Sequence, residues 1–143
     1  MNRRDAWDRA EGALRRVELT DRAGDRTSRL SGGQLRRVGV AAALVHDARV
    51  LLLDEPTAGL DPRQRRVFRD LLSGLREDVD VLLSTHDVAD LAEEADHVTV
   101  LDAGTILHSG STDSFVALAP PETVAGRLAE GAYTTLLEGR GTE

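Results

Sequence analysis

The chain has 143 residues, a length that fits one domain, and an apolar fraction of 41% that can supply a core. Its net charge of −7 argues against a nucleic-acid binder, because neutralising phosphates takes an excess of cations, and the lack of cysteine excludes thiolate metal sites, disulfides and cysteine nucleophiles together. No apolar run approaches the roughly 20 residues that cross a bilayer, and Met1 to Arg9 holds no apolar stretch like a secretory signal's, so a soluble, cytoplasmic chain is expected.

Ala6 to Leu19 spaces Trp7, Ala10, Leu14 and Val17 by three and four, one face of a helix whose other face is mostly arginine and glutamate. Thr20 to Arg29 is a polar connector around Gly24. Ser31 suits an N-cap, and Leu35 to Val45 continues as a helix that ends near His46-Asp47. Val50 to Leu53 is a short, wholly apolar run, as expected of a strand buried on both faces of a parallel sheet. Pro56 to Asp61 forms a loop, and Pro62 starts a helix to about Leu72 with Val67, Leu71 and Leu75 on one side. Val81 to Leu83 predicts a second buried strand, Asp87 to Ala95 a helix and His97 to Leu101 a third strand, so neighbouring strands should be parallel. Asp102-Ala103-Gly104 is a turn, after which Ile106 to His108 pairs back as a hairpin. Gly110 to Asp113 caps a short helix, Pro120-Pro121 is a break, and Glu122 to Leu137 makes a tail helix.

Three elements carry chemistry. Leu30 to Gln34, LSGGQ, puts a serine and two glycines at a helix start, where free amides and the positive end of the helix dipole suit a phosphate; a Ser-Gly-Gly run also serves as a plain cap. Val50 to Glu55 delivers two adjacent carboxylates, Asp54 and Glu55, to the carboxyl end of a strand, where ligands of open α/β sheets bind. One carboxylate can hold Mg²⁺ while its neighbour orients a water, or the pair can be an acidic turn. His86 follows the next strand and is expected at the same sheet edge, able to hold a water or meet developing phosphate charge, or simply to be structural. His46, His97 and His108 have no metal-ligand spacing.

Together, LSGGQ at Leu30 to Gln34, VLLLDEPTAGLD at Val50 to Asp61 and LLSTHD at Leu82 to Asp87 resemble, in order and spacing, the signature, Walker B strand, D-loop and switch histidine of ATP-binding cassette ATPases. The resemblance runs from about Ala6 to Phe115. It implies an α/β, partial P-loop NTPase-like fold with a mainly parallel sheet and flanking helices. Residues 1–48 would be part of the helical signature subdomain, 49–119 the α/β core and 120–143 a tail helix. It further implies that Asp54 holds Mg²⁺, Glu55 is the general base or water-positioning residue, and His86 contacts the γ-phosphate. Asp61 would couple the two sites of a dimer, and Ser31, Gly32, Gly33 and Gln34 would bind the γ-phosphate of ATP held by a second nucleotide-binding domain. Ala42 departs from the family, which commonly has arginine there, with local effects expected.

The family holds ATP chiefly through a Gly-rich loop whose lysine contacts the β- and γ-phosphates. All 18 basic residues here are arginine, so no such loop occurs in these 143 residues even in variant form. The lysine-bearing start of the domain is therefore expected to be missing, leaving Val50 to Leu53 or a neighbouring strand with an unpaired edge and exposed apolar surface. The expected function is the ATP-binding and ATP-hydrolysing subunit of a transporter, bound to a membrane-spanning subunit and so peripheral to the membrane. PTAGLD and the exporter-like hairpin and helix of Asp102 to Phe115 favour an exporter. The alternatives are a non-catalytic fragment lending LSGGQ to a complete partner, and a soluble cassette ATPase of translation or DNA repair.

Overall fold

Asn2 opens the first helix: its side-chain oxygen accepts a hydrogen bond from the Asp5 N–H at 2.8 Å, satisfying one of the donors that a helix start leaves unpaired. In the computed structural model, which describes residues 2–88 and 95–140, this helix, α1, runs Arg3–Arg16. The described residues divide into two compact units, Met1–Ser84 and Thr85–Glu143, each with its own apolar cluster.

In the first unit, α1 leads through two short 3₁₀ turns, Thr20–Arg22 and Thr27–Arg29, to α2 (Gly32–Leu44). Strand β1 (Val50–Asp54), helix α3 (Pro62–Leu75) and strand β2 (Asp80–Ser84) follow. β1 and β2 pair in parallel, Val50 opposite Asp80 and Asp54 opposite Ser84, with α3 as the crossover that a parallel pair requires. Phe68, Leu71, Leu72 and Leu75 recur on one side of α3 and are buried with Val17 and Leu19 beyond α1, Val40 and Leu44 of α2, and Leu51 of β1. Leu53, Val81 and Leu83 pack on the same cluster, so one face of the sheet meets all three helices. Trp7, on the apolar face of α1, is 66% exposed, because the cluster reaches only the second half of that helix, from Ala13 and Leu14.

The other face of the sheet departs from the expectation of strands buried on both sides and meets the expectation of exposed apolar surface on Val50 to Leu53 or a neighbouring strand. Alternation along β1 and β2 sends Val50, Leu52 and Leu82 away from the helices, and they are 57%, 71% and 67% exposed. The helices of this unit lie on the opposite face, so nothing in it covers these three side chains.

In the second unit, β3 (His97–Asp102) and β4 (Thr105–Ser111) form an antiparallel hairpin, followed by α4 (Thr112–Val116) and α5 (Leu128–Arg140). Ala103 and Gly104 both have positive φ, +44° and +80°, the backbone that a two-residue hairpin turn with matching twist demands. Val98, Val100, Phe115, Ala129 and Ala132 form the core, with Leu107 and Tyr133 against it. The hairpin was expected; a third strand parallel to its neighbours was not found, because His97–Asp102 pairs with β4 in a separate two-stranded sheet. Most of the helix expected over Asp87 to Ala95 lies outside the described residues. Among the described residues no helix is long and apolar enough to cross a membrane.

Candidate functional site

The signature segment becomes a helix start whose cap is closed from both sides. The Ser31 hydroxyl accepts from the Gln34 N–H at 3.3 Å, and the Gln34 side-chain oxygen accepts from the Ser31 N–H at 2.8 Å. The amides of Gly32 and Gly33 fall in the first turn of α2, where no carbonyl of the helix itself can take them. Around Gly32 the space is open, with no atom within 4 Å of where a Cβ would stand. Gly33 is different: a Cβ there would lie 3.2 Å from Cδ and 3.3 Å from Cγ of Gln64, so α3 approaches the signature turn at this glycine.

β1 delivers Asp54 and Glu55 to its carboxyl end, as the sequence predicts. Asp54 is exposed, and its carboxylate accepts a hydrogen bond from the Ser84 hydroxyl, the residue opposite it on β2. The half-buried Glu55 continues the ladder by one step, donating its N–H to the Ser84 carbonyl at 3.0 Å. The chain then turns sharply. Glu55 adopts φ +45°, a left-handed conformation that costs a non-glycine residue about 1 kcal/mol, and strain of this kind collects at functional sites. Ala58 N–H donates to the Glu55 carbonyl and Leu60 N–H to that of Thr57, while Gly59, at φ +75°, supplies the other left-handed position. The loop ends at Asp61, whose carboxylate caps α3 by accepting from the Gln64 N–H at 2.8 Å.

Ser31, Gly32, Gly33, Gln34, Asp54, Glu55 and Asp61 thus belong to the first unit. Gly32 and Asp54 line one cleft of about 420 Å³, together with Leu35, Arg36, Leu53 and Phe68. His86 lies two residues past β2, exposed, at the start of the second unit, where the Asp87 N–H donates to the Thr85 hydroxyl at 3.0 Å.

Three further residues of the site escaped sequence reasoning. Ser84 partners Asp54, and aligning the two apolar runs in parallel would have found it. Gln64 fills the space beside Gly33, which only the packing of α3 on α2 reveals. Arg37 reaches back from α2 to donate to the carbonyls of Val17 at 3.1 Å and Glu18 at 3.4 Å, tying the signature helix to the end of α1.

Mg²⁺ is usually held by one or two carboxylates, with waters and substrate phosphates filling the other positions. The Asp54 carboxylate at the open end of β1 fits that role, and among the described residues no group of three or more metal-capable side chains offers a different site.

A family model described as ABC transporter matches residues 2–58. Over 114 residues the chain is 44% identical to the energy-coupling factor transporter ATP-binding protein EcfA2 of Bacillus subtilis (strain 168), covering 78% of this chain and 41% of that protein. Over 126 residues it is 40% identical to the methionine import ATP-binding protein MetN of Caulobacter vibrioides, covering 85% and 38%. Among solved structures, cbiO1 from Clostridium perfringens, part of the ABC transporter complex cbiONQ, superposes with a TM-score of 0.77 at 31% identity, over 82% of this chain and 47% of that one. The chain therefore spans about two fifths of the length of these curated relatives. Their names speak of energy coupling and import, and so lend no support to the exporter type expected from PTAGLD and the hairpin.

Proposed function

This chain is part of an ATP-binding cassette ATPase domain, and from that premise we propose that it supplies the hydrolytic and signature residues of the ATP-driven subunit of an importer-type transporter. The observation that carries the reading is the end of β1: two carboxylates in sequence, one bonded to the neighbouring strand's serine and the next held in a left-handed turn, in the same unit as a capped signature helix. In this reading the Glu55 carboxylate orients a water in line with the γ-phosphorus and draws off its proton as the new P–O bond forms and the bond to the bridging oxygen of ADP breaks. Asp54 would hold Mg²⁺, which neutralises charge on the β- and γ-phosphates when bound. His86 would contact the γ-phosphate.

Ser31, Gly32, Gly33 and Gln34 would present the start of α2 to ATP held by a second nucleotide-binding domain, and Asp61 would lie at the seam between the two. The exposure of Gly32 and its free surroundings support a site that faces a partner. A membrane-spanning subunit would complete the assembly and hold this one at the membrane surface. The names of the energy-coupling and import relatives support the importer class.

Fusing a lysine-bearing phosphate-loop segment from one of the relatives ahead of this chain should give an Mg²⁺-dependent ATPase. Glu55→Gln should then lower turnover by about 10² to 10⁴ while leaving ATP binding intact. Undiminished turnover in that variant would remove Glu55 from the mechanism.

A further inference from the structure

β1 and β2 change character at the same step. Along one face, β1 passes from Leu52 to Asp54 and β2 from Leu82 to Ser84, and the members of each pair stand opposite one another in the register. Partners in a ladder lie about 4.8 Å apart with side chains on the same face. The Ser84 hydroxyl therefore reaches the Asp54 carboxylate without a long side chain to order, and it donates to Oδ1. Oδ2 is left for another partner at the exposed end of the strand. Ser84 also holds the next residue: its carbonyl accepts from the Glu55 N–H at 3.0 Å, the last ladder bond before Glu55 turns to φ +45°. One residue of β2 thus grips both members of the acidic pair, Asp54 by its side chain and Glu55 by its main chain.

The consequence concerns which cation Asp54 takes. Mg²⁺ demands a near-ideal octahedron, which the narrow bite of two oxygens from one carboxylate distorts, whereas Ca²⁺ accepts carboxylates through one oxygen or both. A carboxylate with one oxygen already held by a hydroxyl is fixed in direction and offers the other oxygen alone. Resting on the cassette reading for the presence of a divalent cation, we propose that Ser84 is a positioning residue that makes Asp54 a one-oxygen ligand. In that role it sets the preference of the site for Mg²⁺ over Ca²⁺.

The test is a residue-resolved NMR titration of the 143-residue chain with MgCl₂ alone and CaCl₂ alone at constant ionic strength, read at the amides of Asp54 and Glu55. The parent should bind Mg²⁺ there more tightly than Ca²⁺. Ser84→Ala should weaken Mg²⁺ about ten-fold, as loss of a hydrogen bond to a metal ligand typically does, and Ca²⁺ by no more than about two-fold. Ser84→Val should act as alanine does, and Ser84→Thr, of the same shape as valine but with the hydroxyl kept, should retain the parent's Mg²⁺ preference. Hydrogen exchange in the β1–β2 ladder should match the parent in all three, because the bond from Glu55 N–H to the carbonyl of residue 84 needs no side chain. A serine that only supported the strand would weaken both cations alike or neither. The proposal falls if the preference for Mg²⁺ survives in both the alanine and valine variants, or if threonine loses it as valine does. It also falls if neither cation perturbs the end of β1 in the parent, a result that removes Asp54 as a metal ligand as well. A preference that follows the hydroxyl, found together with undiminished turnover of the fused enzyme's Glu55→Gln variant, would keep the role of Ser84 and remove the hydrolytic reading, so the two fail separately.

Discussion

The two halves of the described chain each hold a two-stranded sheet with one covered and one open face, and the open faces differ in what they can tolerate. In the β3–β4 hairpin, the open face pairs His97 with Ser111 and Thr99 with Ser109, and the Ser109 hydroxyl lies 3.0 Å from His97 Nε2 and 3.2 Å from the Thr99 hydroxyl. Its one apolar pair, Leu101 with Ile106, sits next to the turn. In the β1–β2 pair the apolar residues occupy the middle. An antiparallel hairpin closed by a two-residue turn commonly shows one face to water, whereas a parallel pair reached by a crossover does not. The second unit thus looks finished in solvent, and the first looks like part of a wider sheet.

The largest effect that can sharpen this contrast lies in the two cores. Phe68 is 2% exposed in the first cluster and Phe115 fully buried in the second, where its ring lies 5.6 Å from that of His108. Either change to alanine should cost about 3–5 kcal/mol. Because each ring belongs to its own cluster, hydrogen exchange should localise the loss: Phe68→Ala should expose the amides of β1 and β2, and Phe115→Ala those of β3 and β4. Equal loss of protection in both sheets from either change would mean that the units are a single cooperative body.

Much of this layout was legible in the residues. Ser31 before two glycines and Gln34 is a capping box written in sequence, and the apolar runs ending at Asp54 and Ser84 marked both strands. The Ala103-Gly104 turn and the short helix after Ser111 followed from turn and cap chemistry. What the residues hid was pairing and cover. A run such as Val50 to Leu53 has the same composition whether one face is packed or two, so burial on both sides could not be told from burial on one. The separation of β3 from the β1–β2 sheet and the approach of Gln64 to Gly33 are products of tertiary packing, which no local periodicity encodes. Sequence order brought Asp54, Glu55 and the signature into one plausible site, and the first unit holds all of them.

A middle-sized effect tests the helix starts of the two units against each other. Ser31 and Ser111 both cap with the side-chain oxygen, accepting from Gln34 N–H at 3.3 Å and Ser114 N–H at 3.2 Å. Each change to alanine should cost about 1 kcal/mol, measured by urea unfolding. Ser31→Ala should cost more, since it opens a reciprocal cap on a 13-residue helix that carries Val40 and Leu44 into the core, whereas α4 has five residues. A larger loss from Ser111→Ala would show that the short helix governs its unit to a degree its length does not suggest.

The smallest effect on stability should come from the open faces, and it separates stability from association. Leu52→Thr and Leu101→Thr both replace an exposed leucine in a strand with a β-branched residue that strands accept, so each should shift the unfolding free energy by no more than about 0.5 kcal/mol. Their effects on self-association should part company. An apolar pair in the middle of an open-edged parallel sheet invites other chains, while one beside a hairpin turn offers little continuous surface. Concentration-dependent sedimentation should therefore show less open-ended aggregation, as species larger than a dimer, for Leu52→Thr than for the parent chain, and no change for Leu101→Thr. Equal relief from both would assign the stickiness of the chain to exposed leucine in general and erase the distinction between the sheets.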